Sequence, residues 1–345
     1  MAPPDPPLPP DPPAPPPAAA DVMLVSLGST AGLRAADAEL ADALARAGAR
    51  VAVVAAEPPR EVRTLALTDL GWARAARAAA QRGIAEHRPG AIVYCTVTAA
   101  LLWPRPGAIR FDAPAAGNRP GRHGVWQRPL ERRRLRQAPL LVPQAPGALA
   151  ESPSPHADAV VVPIAVEPSG PPAATRDVAA ITYAANPEKK GLERVLAAWA
   201  AVRRDGEELV VAGIDPARVP AVPGVRATGT LAPEAYRALL RRARVYVTAP
   251  RREDYGVAQL EALADGCRLV TTAAPGPYAA LPLARALDPR LVGDDLGGAM
   301  RAALDDPVPD YADRALAAIG RYRRAAVDAT VRDELLPRLL SGRAS

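Results

Sequence analysis

The chain has 345 residues, 49% of them hydrophobic, with two cysteines, three histidines and a formal net charge of +6. That is length for two ordinary domains, each with its own core. It is too little cysteine for a disulfide framework, too few and too scattered histidines for a zinc site, and too modest a charge to call for nucleic acid. The longest apolar runs are strand-sized and the N-terminus shows no apolar segment after a basic one, so neither a spanning helix nor a signal peptide is expected. Cys95 and Cys267, each in or beside an apolar strand, are expected as buried reduced thiols, which fits a cytoplasmic setting.

Residues 1–20 are dominated by proline. Such a segment cannot bury a core and reads as a disordered tail, either dispensable or a docking tail for a partner. The first domain, residues 21–166, opens with a strand at Val22–Leu27, a turn holding Gly28, Ser29, Thr30 and Gly32, a helix from about Leu33 to Ala47, and a strand at Val51–Ala55. This is the opening of a parallel α/β domain, and N–H groups in the turn could take a phosphate. With neither G-x-G-x-x-G nor a P-loop lysine, it could equally be a plain tight turn. An alanine-rich helix at 72–87 and strands at 91–97 and 108–111 follow. Between Pro104 and Gln137, nine arginines are opposed only by Asp112 and Glu131. The helix expected at 130–137 is either a solvated basic face or a patch for anionic lipid headgroups or a phosphorylated acceptor. Strands at 140–142 and 160–164 complete the domain.

A Pro/Gly linker at 167–177 leads to the second domain, residues 178–309. It has a strand at 178–183, the loop AANPEKKG, a helix from Leu192 to about Arg203 with Leu192, Val195, Leu196 and Trp199 on one face, strands at 208–212 and 225–229, and a helix at 233–243. The most informative stretch comes next. Strand Val245–Thr248 gives way to a polar loop carrying Glu253, Gly256 opens an apolar helix holding Glu261, and a strand at Leu269–Thr272 follows. On one continuous helix the two glutamates would point roughly 80° apart. On a loop and on the next helix, both can face the crevice at the carboxyl end of the strand, where open α/β sheets bind ligands. Between them, the helix start at Gly256 and Val257 offers N–H groups to an anion. Carboxylates flanking an anion site suit a nucleotide sugar, with hydroxyls at both ends and phosphate in the middle. Residues 310–345 read as largely helical.

Glu253, Gly256, Glu261, Gly266 and the strand LVTT resemble the nucleotide-sugar site of the family 4 (group 1) glycosyltransferases, retaining enzymes whose signature is E-x7-E; the resemblance extends over most of the C-terminal half. It implies an α/β fold of the GT-B type, with two Rossmann-like domains facing a cleft and the last helix crossing back to the first. It implies transfer of a sugar from a nucleoside diphosphate sugar, the base unassigned, to a glycan, lipid or small-molecule acceptor, without metal or cofactor. The setting implied is cytoplasmic, and peripheral to the inner face of the membrane if the basic stretch meets anionic lipid.

The resemblance assigns Glu261 to the ribose hydroxyls, Glu253 to the sugar, and Lys190, before Gly191, to the diphosphate. The family's arginine has no counterpart, its neighbourhood here holding Ala184 and Ala185, so either Lys189 stands in for it or the phosphate site is weaker. Thr230 and Leu231 would cradle the base by backbone contacts, and Gly28 and Gly32 would approach the donor phosphates or the acceptor. Where the family has a histidine after the fourth strand, this chain has Asp112, which is either catalytic or a loop cap. In the mechanism usual for the family, the leaving phosphate takes the acceptor proton. Two other readings stand beside this one. A catalytically silent homologue acting as a scaffold is motivated by the missing arginine and by Asp112. A nicotinamide-dependent oxidoreductase draws on the Gly28 turn and Glu57, but leaves the Glu253 and Glu261 block unexplained.

Overall fold

Continuous apolar runs become the strands of two parallel sheets, as expected where helices cover both faces. The computed structural model describes residues 19–341 apart from 61–63, 120, 155–157, 172 and 174, so nearly all of the proline-rich N-terminal stretch lies outside the described residues. The first sheet joins β1 (Val22–Ser26), β2 (Val51–Ala55), β3 (Ala91–Tyr94), β4 (Ala108–Phe111) and β5 (Leu141–Pro143) in the order β2-β1-β3-β4-β5. The second joins β6 (Val178–Tyr183), β7 (Leu209–Ala212), β8 (Val225–Gly229), β9 (Ala243–Thr248) and β10 (Arg268–Thr271) in the order β10-β9-β6-β7-β8. Chain order reverses between β1 and β3 in the first sheet and between β6 and β9 in the second. At such switch points the connections leave in opposite directions and open a crevice at the carboxyl ends of the strands. The loops that front it are those after β1, β3, β6 and β9.

Two expected elements come out differently. Residues 158–162 run beside β5, with Leu141 N donating to Asp158 O, Val160 N to Leu141 O and Val162 N to Pro143 O at 2.9 to 3.0 Å, yet only an isolated bridge forms. The next rung would need an N–H from Pro143, which has none, so 160–164 is extended chain and not a strand. The strand expected at 91–97 stops at Tyr94 because the Thr96 side chain accepts from Ala99 N at 3.0 Å and caps a short helix, Val97–Ala100. Thr30 likewise caps α1 (Ala31–Arg46), accepting from Leu33 N at 3.2 Å, and starts that helix ahead of the expected Leu33.

Past Tyr311–Ala318 the chain crosses back to the first domain as Arg324–Thr330, a π-helical turn Val331–Leu335, and Leu336–Ser341. Val327, Val331, Leu335 and Leu339 join Val22, Leu24, Leu40 and Leu44 in one buried cluster. Helical pieces this short are marginal alone, so packing of the apolar face holds them. Arg46 adds a bidentate pair to Asp328 at 2.9 and 2.8 Å. Cys95 and Cys267 are buried and free, and among the described residues no helix is long and apolar enough to cross a membrane. Because Leu335 is fully buried in this seam, Leu335→Ala is expected to destabilise the protein by about 2–5 kcal/mol in urea unfolding. Amide exchange should accelerate first in β1 and α1.

Candidate active site

The switch points of the two sheets face one another across a cleft cavity of about 470 Å³, whose lining includes Gly32, Asp112 and Gln144 from the first domain and Lys190, Glu253 and Glu261 from the second. The loop after β6 sets its floor. Asn186 accepts from Lys189 N at 3.0 Å and caps the single turn Pro187–Lys190. Gly191 ends that turn at φ +65°, and a Cβ there would lie 1.9 Å from Ala249 O. Only glycine fits both the conformation and the contact. Arg251 N donates to Lys189 O at 3.0 Å, so the β6 and β9 loops lie side by side.

That contact brings Lys190 Nζ to 2.6 Å from Glu253 Oε2, with both side chains largely buried. Gln259, fully buried, donates from Nε2 to the same oxygen at 2.9 Å, and Glu253 N donates to Pro275 O at 3.0 Å. Glu253 is thereby fixed through main chain and side chain. Gly256, at φ +88°, precedes the helix Val257–Ala264, and no side chain caps that helix start. Its first N–H groups are thus available to a ligand, and Gly256 and Val257 both line the cavity. Glu261 also fronts the cavity one turn on. Burial raises its carboxyl above the usual range, opposed by the Arg237 charge, whose Nη1 lies 3.5 Å away.

Lys189 takes a different partner. Its Nζ lies 2.6 Å from Asp254 Oδ2, while Asp254 Oδ1 accepts from Arg252 Nε at 2.9 Å and from Asn118 Nδ2 of the first domain at 3.0 Å. Burial pushes the Asp254 carboxyl up, but these donors, Lys189 foremost, outweigh it and hold it below its usual value. Asp112 is half-buried on the first-domain wall. Burial raises its carboxyl, with the Asp254 charge adding to the effect, and its Oδ1 also accepts from Ala113 N at 2.8 Å, the contact of a loop cap.

Of the residues singled out from the sequence, Glu253, Glu261, Gly256, Val257, Lys189, Lys190, Asp112 and Gly32 meet at this one cavity. Gly28 and Leu231 line neither it nor its neighbour in the first domain. Gly28 O accepts from Arg34 Nη1 at 2.7 Å, which closes the turn, and Leu231 packs against the second-domain core. The sequence reading missed Gln259, Asp254 and Tyr183. Gln259 was visible as the lone amide in the apolar run VAQLEALA. Tyr183, tilted against Tyr236 with centroids 5.4 Å apart, looks like any aromatic at a strand end. The basic stretch is also less free than its composition suggests. Arg110 is buried against Asp37, Arg119 pairs with Asp69, and Arg134 stacks over Trp103, whereas Arg132, Arg133 and Arg136 are exposed. Among the described residues no cluster of His, Cys, Asp and Glu is placed to hold a metal ion.

Residues 177–294 match a family described as glycosyl transferases group 1. The second domain is that of a group 1 glycosyltransferase. Sucrose-phosphate synthase from Thermosynechococcus elongatus has a similar structure, at TM-score 0.73 and 15% identity over 93% of this chain and 99% of that one. WaaG, a glycosyltransferase involved in lipopolysaccharide biosynthesis, is similar at TM-score 0.62 and 15% identity over 93% and 98%. HepE from Anabaena, in complex with UDP and glucose, is similar at TM-score 0.64 and 14% identity over 91% and 98%. At these identities the likeness is one of fold, and the fold is GT-B, with the C-terminal helices crossing back as the resemblance implies. No protein of curated function matches the chain in sequence.

Beside the cleft, a second cavity of about 300 Å³ lies within the first domain and shares Asp112 and Leu33 with it. On its wall Glu131 is buried and accepts from Ala115 N with both oxygens, at 2.8 and 2.9 Å. Burial pushes the Glu131 carboxyl up to about 7, against the Ala115 N–H, which lowers it. The folded pKa therefore lies above the unfolded one, and the ionised form is disfavoured by folding. Its contribution to stability falls as pH rises from about 4.5 through about 7 and is unpenalised below that window. Glu131→Gln should remove the penalty. Its unfolding free energy in urea is expected to gain on the wild type's with rising pH, by about 2–3 kcal/mol between pH 5 and pH 8.

Proposed function

We propose that the glycosyltransferase moves a sugar from a nucleoside diphosphate sugar to an acceptor hydroxyl with retention of anomeric configuration. The observation that carries this reading is the placement of Glu253 and Glu261 on either side of the uncapped helix start at Gly256–Val257, with Lys190 clamped to Glu253 in the same cleft. The diphosphate sits at the helix start, where N–H groups and the helix dipole favour an anion. Lys190 spends one of its three N–H donors on Glu253 and keeps two for phosphate oxygens. Glu261 accepts from the ribose hydroxyls, and Glu253, held in place by Gln259 and Lys190, accepts from a hydroxyl of the sugar.

In the reaction, the bond from C1 of the sugar to the phosphate oxygen breaks and its electron pair leaves with the diphosphate. The acceptor oxygen bonds to C1 from the same face, and its proton passes to the departing phosphate. Lys190 and the helix N–H groups stabilise the charge that develops there, in the manner of an oxyanion hole. Asp112 faces the sugar from the opposite wall, where it orients the incoming hydroxyl. The structure of HepE described with UDP and glucose puts UDP first among the nucleotides to try.

Calorimetric titration with UDP, GDP, ADP, dTDP and NAD should show one nucleoside diphosphate binding, with Glu261→Ala weakening it by about 1.5 kcal/mol or more, as for a lost hydrogen bond to a charged group. No binding, or no effect of the substitution, would return the protein to the scaffold reading, and NAD binding alone would favour an oxidoreductase. Lys190→Ala is expected to reduce turnover about a hundredfold or more, since it removes a donor aimed at charge formed in the transition state. A rise in KM at constant kcat would instead mean that Lys190 only binds.

A further inference from the structure

Arg237 lies behind Glu261, outside the lining of the cleft. It stands on the helix Pro233–Arg242, which packs beside the helix Val257–Ala264 that carries Glu261. Its side chain is only 14% exposed, and two short contacts fix the guanidinium: Nε donates to Asp265 Oδ2 at 2.6 Å and Nη2 to Glu167 O at 2.8 Å. Asp265 is itself held. Its Oδ1 accepts from Ser169 N at 2.8 Å, and the Ser169 hydroxyl lies 3.0 Å from each of its oxygens. Glu167 and Ser169 belong to the linker, and the Glu167 carboxylate is pinned in turn by Arg323 Nε at 2.7 Å and Arg324 N at 2.8 Å. With the fork anchored on these partners, Nη1 is turned to Glu261, whose Oε1 lies 3.5 Å away.

That spacing decides what the arginine does. At 3.5 Å the contact has little hydrogen-bond character and is chiefly electrostatic. Among the described residues nothing else bonds to the Glu261 side chain, so its oxygens keep their acceptor sites for the hydroxyls of a ligand. Burial pushes the Glu261 carboxyl up, Arg237 pulls it down, and Asp265 on the same helix pushes it up again. Arg237 is the one cation in that balance. Tyr236, the other titratable group packed nearby, stays neutral, its hydroxyl pushed far up by burial and then by the Glu261 charge.

We propose that Arg237 is a positioning residue for donor recognition: anchored on Asp265 and on the linker, it presents the Glu261 carboxylate to the ribose hydroxyls. The inference rests on the sugar-transfer reading and deepens it by naming the side chain that makes Glu261 a competent acceptor. It also joins the cleft wall to the segment between the domains through a single side chain.

The test titrates UDP, GDP and ADP, each beside its 2′,3′-dideoxy form, into the full chain by calorimetry. For a nucleotide that binds, the ratio of the dideoxy Kd to the ribose Kd reads the contribution of Glu261, since whatever the two ligands share cancels. Arg237→Met, which keeps the apolar stem, should lower this ratio roughly five- to tenfold through the ribose form alone. Arg237→Lys should restore part of it, and Ser169→Ala, which loosens only the anchor, should lower it by less. Without Arg237, burial and Asp265 both favour the protonated carboxyl. The ratio in Arg237→Met should therefore fall further than the wild type's as pH drops from about 8 to about 6. An equal loss for both ligands, or an unchanged ratio, overturns the proposal and leaves Arg237 a structural clamp. If no nucleotide binds, the donor reading fails by itself, and NMR titration of the Glu261 carboxyl in glutamate-labelled protein still decides the arginine's hold on it. Its midpoint should rise in Arg237→Met, and an unchanged midpoint overturns that hold.

Discussion

The carbonyl of Ala249 lies where a side chain at residue 191 would begin, and much of the site follows from that contact. With glycine at 191, the β6 and β9 loops touch backbone to backbone, and the lysines just before it have nowhere to reach but the β9 loop. Lys190 then meets Glu253, and Lys189 meets Asp254, each at 2.6 Å. Two adjacent lysines on one turn and two adjacent carboxylates on one loop are thus paired in register. A side chain at 191 would separate the loops, leaving Glu253 buried without its cation and Asp254 with Arg252 alone, and an unpaired buried carboxylate is strongly unfavourable.

The same loop also ties the domains together. Arg252 reaches Glu151 at 2.6 Å, Asp254 accepts from Asn118, and Tyr255 OH accepts from Ile164 N at 2.9 Å. Residues that line the cleft are therefore direct neighbours of residues that hold the two domains at a fixed separation. Anything that shifts the β9 loop shifts the cleft width with it. On the far side, Arg323 Nε donates to Glu167 Oε2 at 2.7 Å and Arg324 N to Glu167 Oε1 at 2.8 Å, so the linker and the crossing helix are joined where they pass. The domains are clasped at both edges, with the cavity between.

What could be read from the sequence was what local pattern determines. Buried parallel strands read as apolar runs, and the break from strand to loop to helix around Glu253 and Glu261 put both carboxylates on one cavity, as their spacing suggested. What could not be read depends on partners far along the chain. The missing strand at 160–164 is decided by Pro143, in the neighbouring strand. Arg110 and Arg119 counted as parts of a basic stretch, but their partners, Asp37 and Asp69, lie 73 and 50 residues earlier. Gln259 shows the opposite case, because an amide inside an apolar helix is a local anomaly and its reason is the carboxylate it holds.

Several groups in and beside the cleft are in states that folding alone would not select. Burial raises the carboxyls of Asp112, Glu131 and Glu261 above their usual range, and Gln127 Oε1 and Gln259 Oε1 are buried without partners. Each lowers stability by an amount that an apolar residue would restore. Asp112 and Glu261 line the cleft and Asp112, Glu131 and Gln127 the adjoining cavity, the pattern expected where a protein keeps polar groups for a ligand rather than for itself.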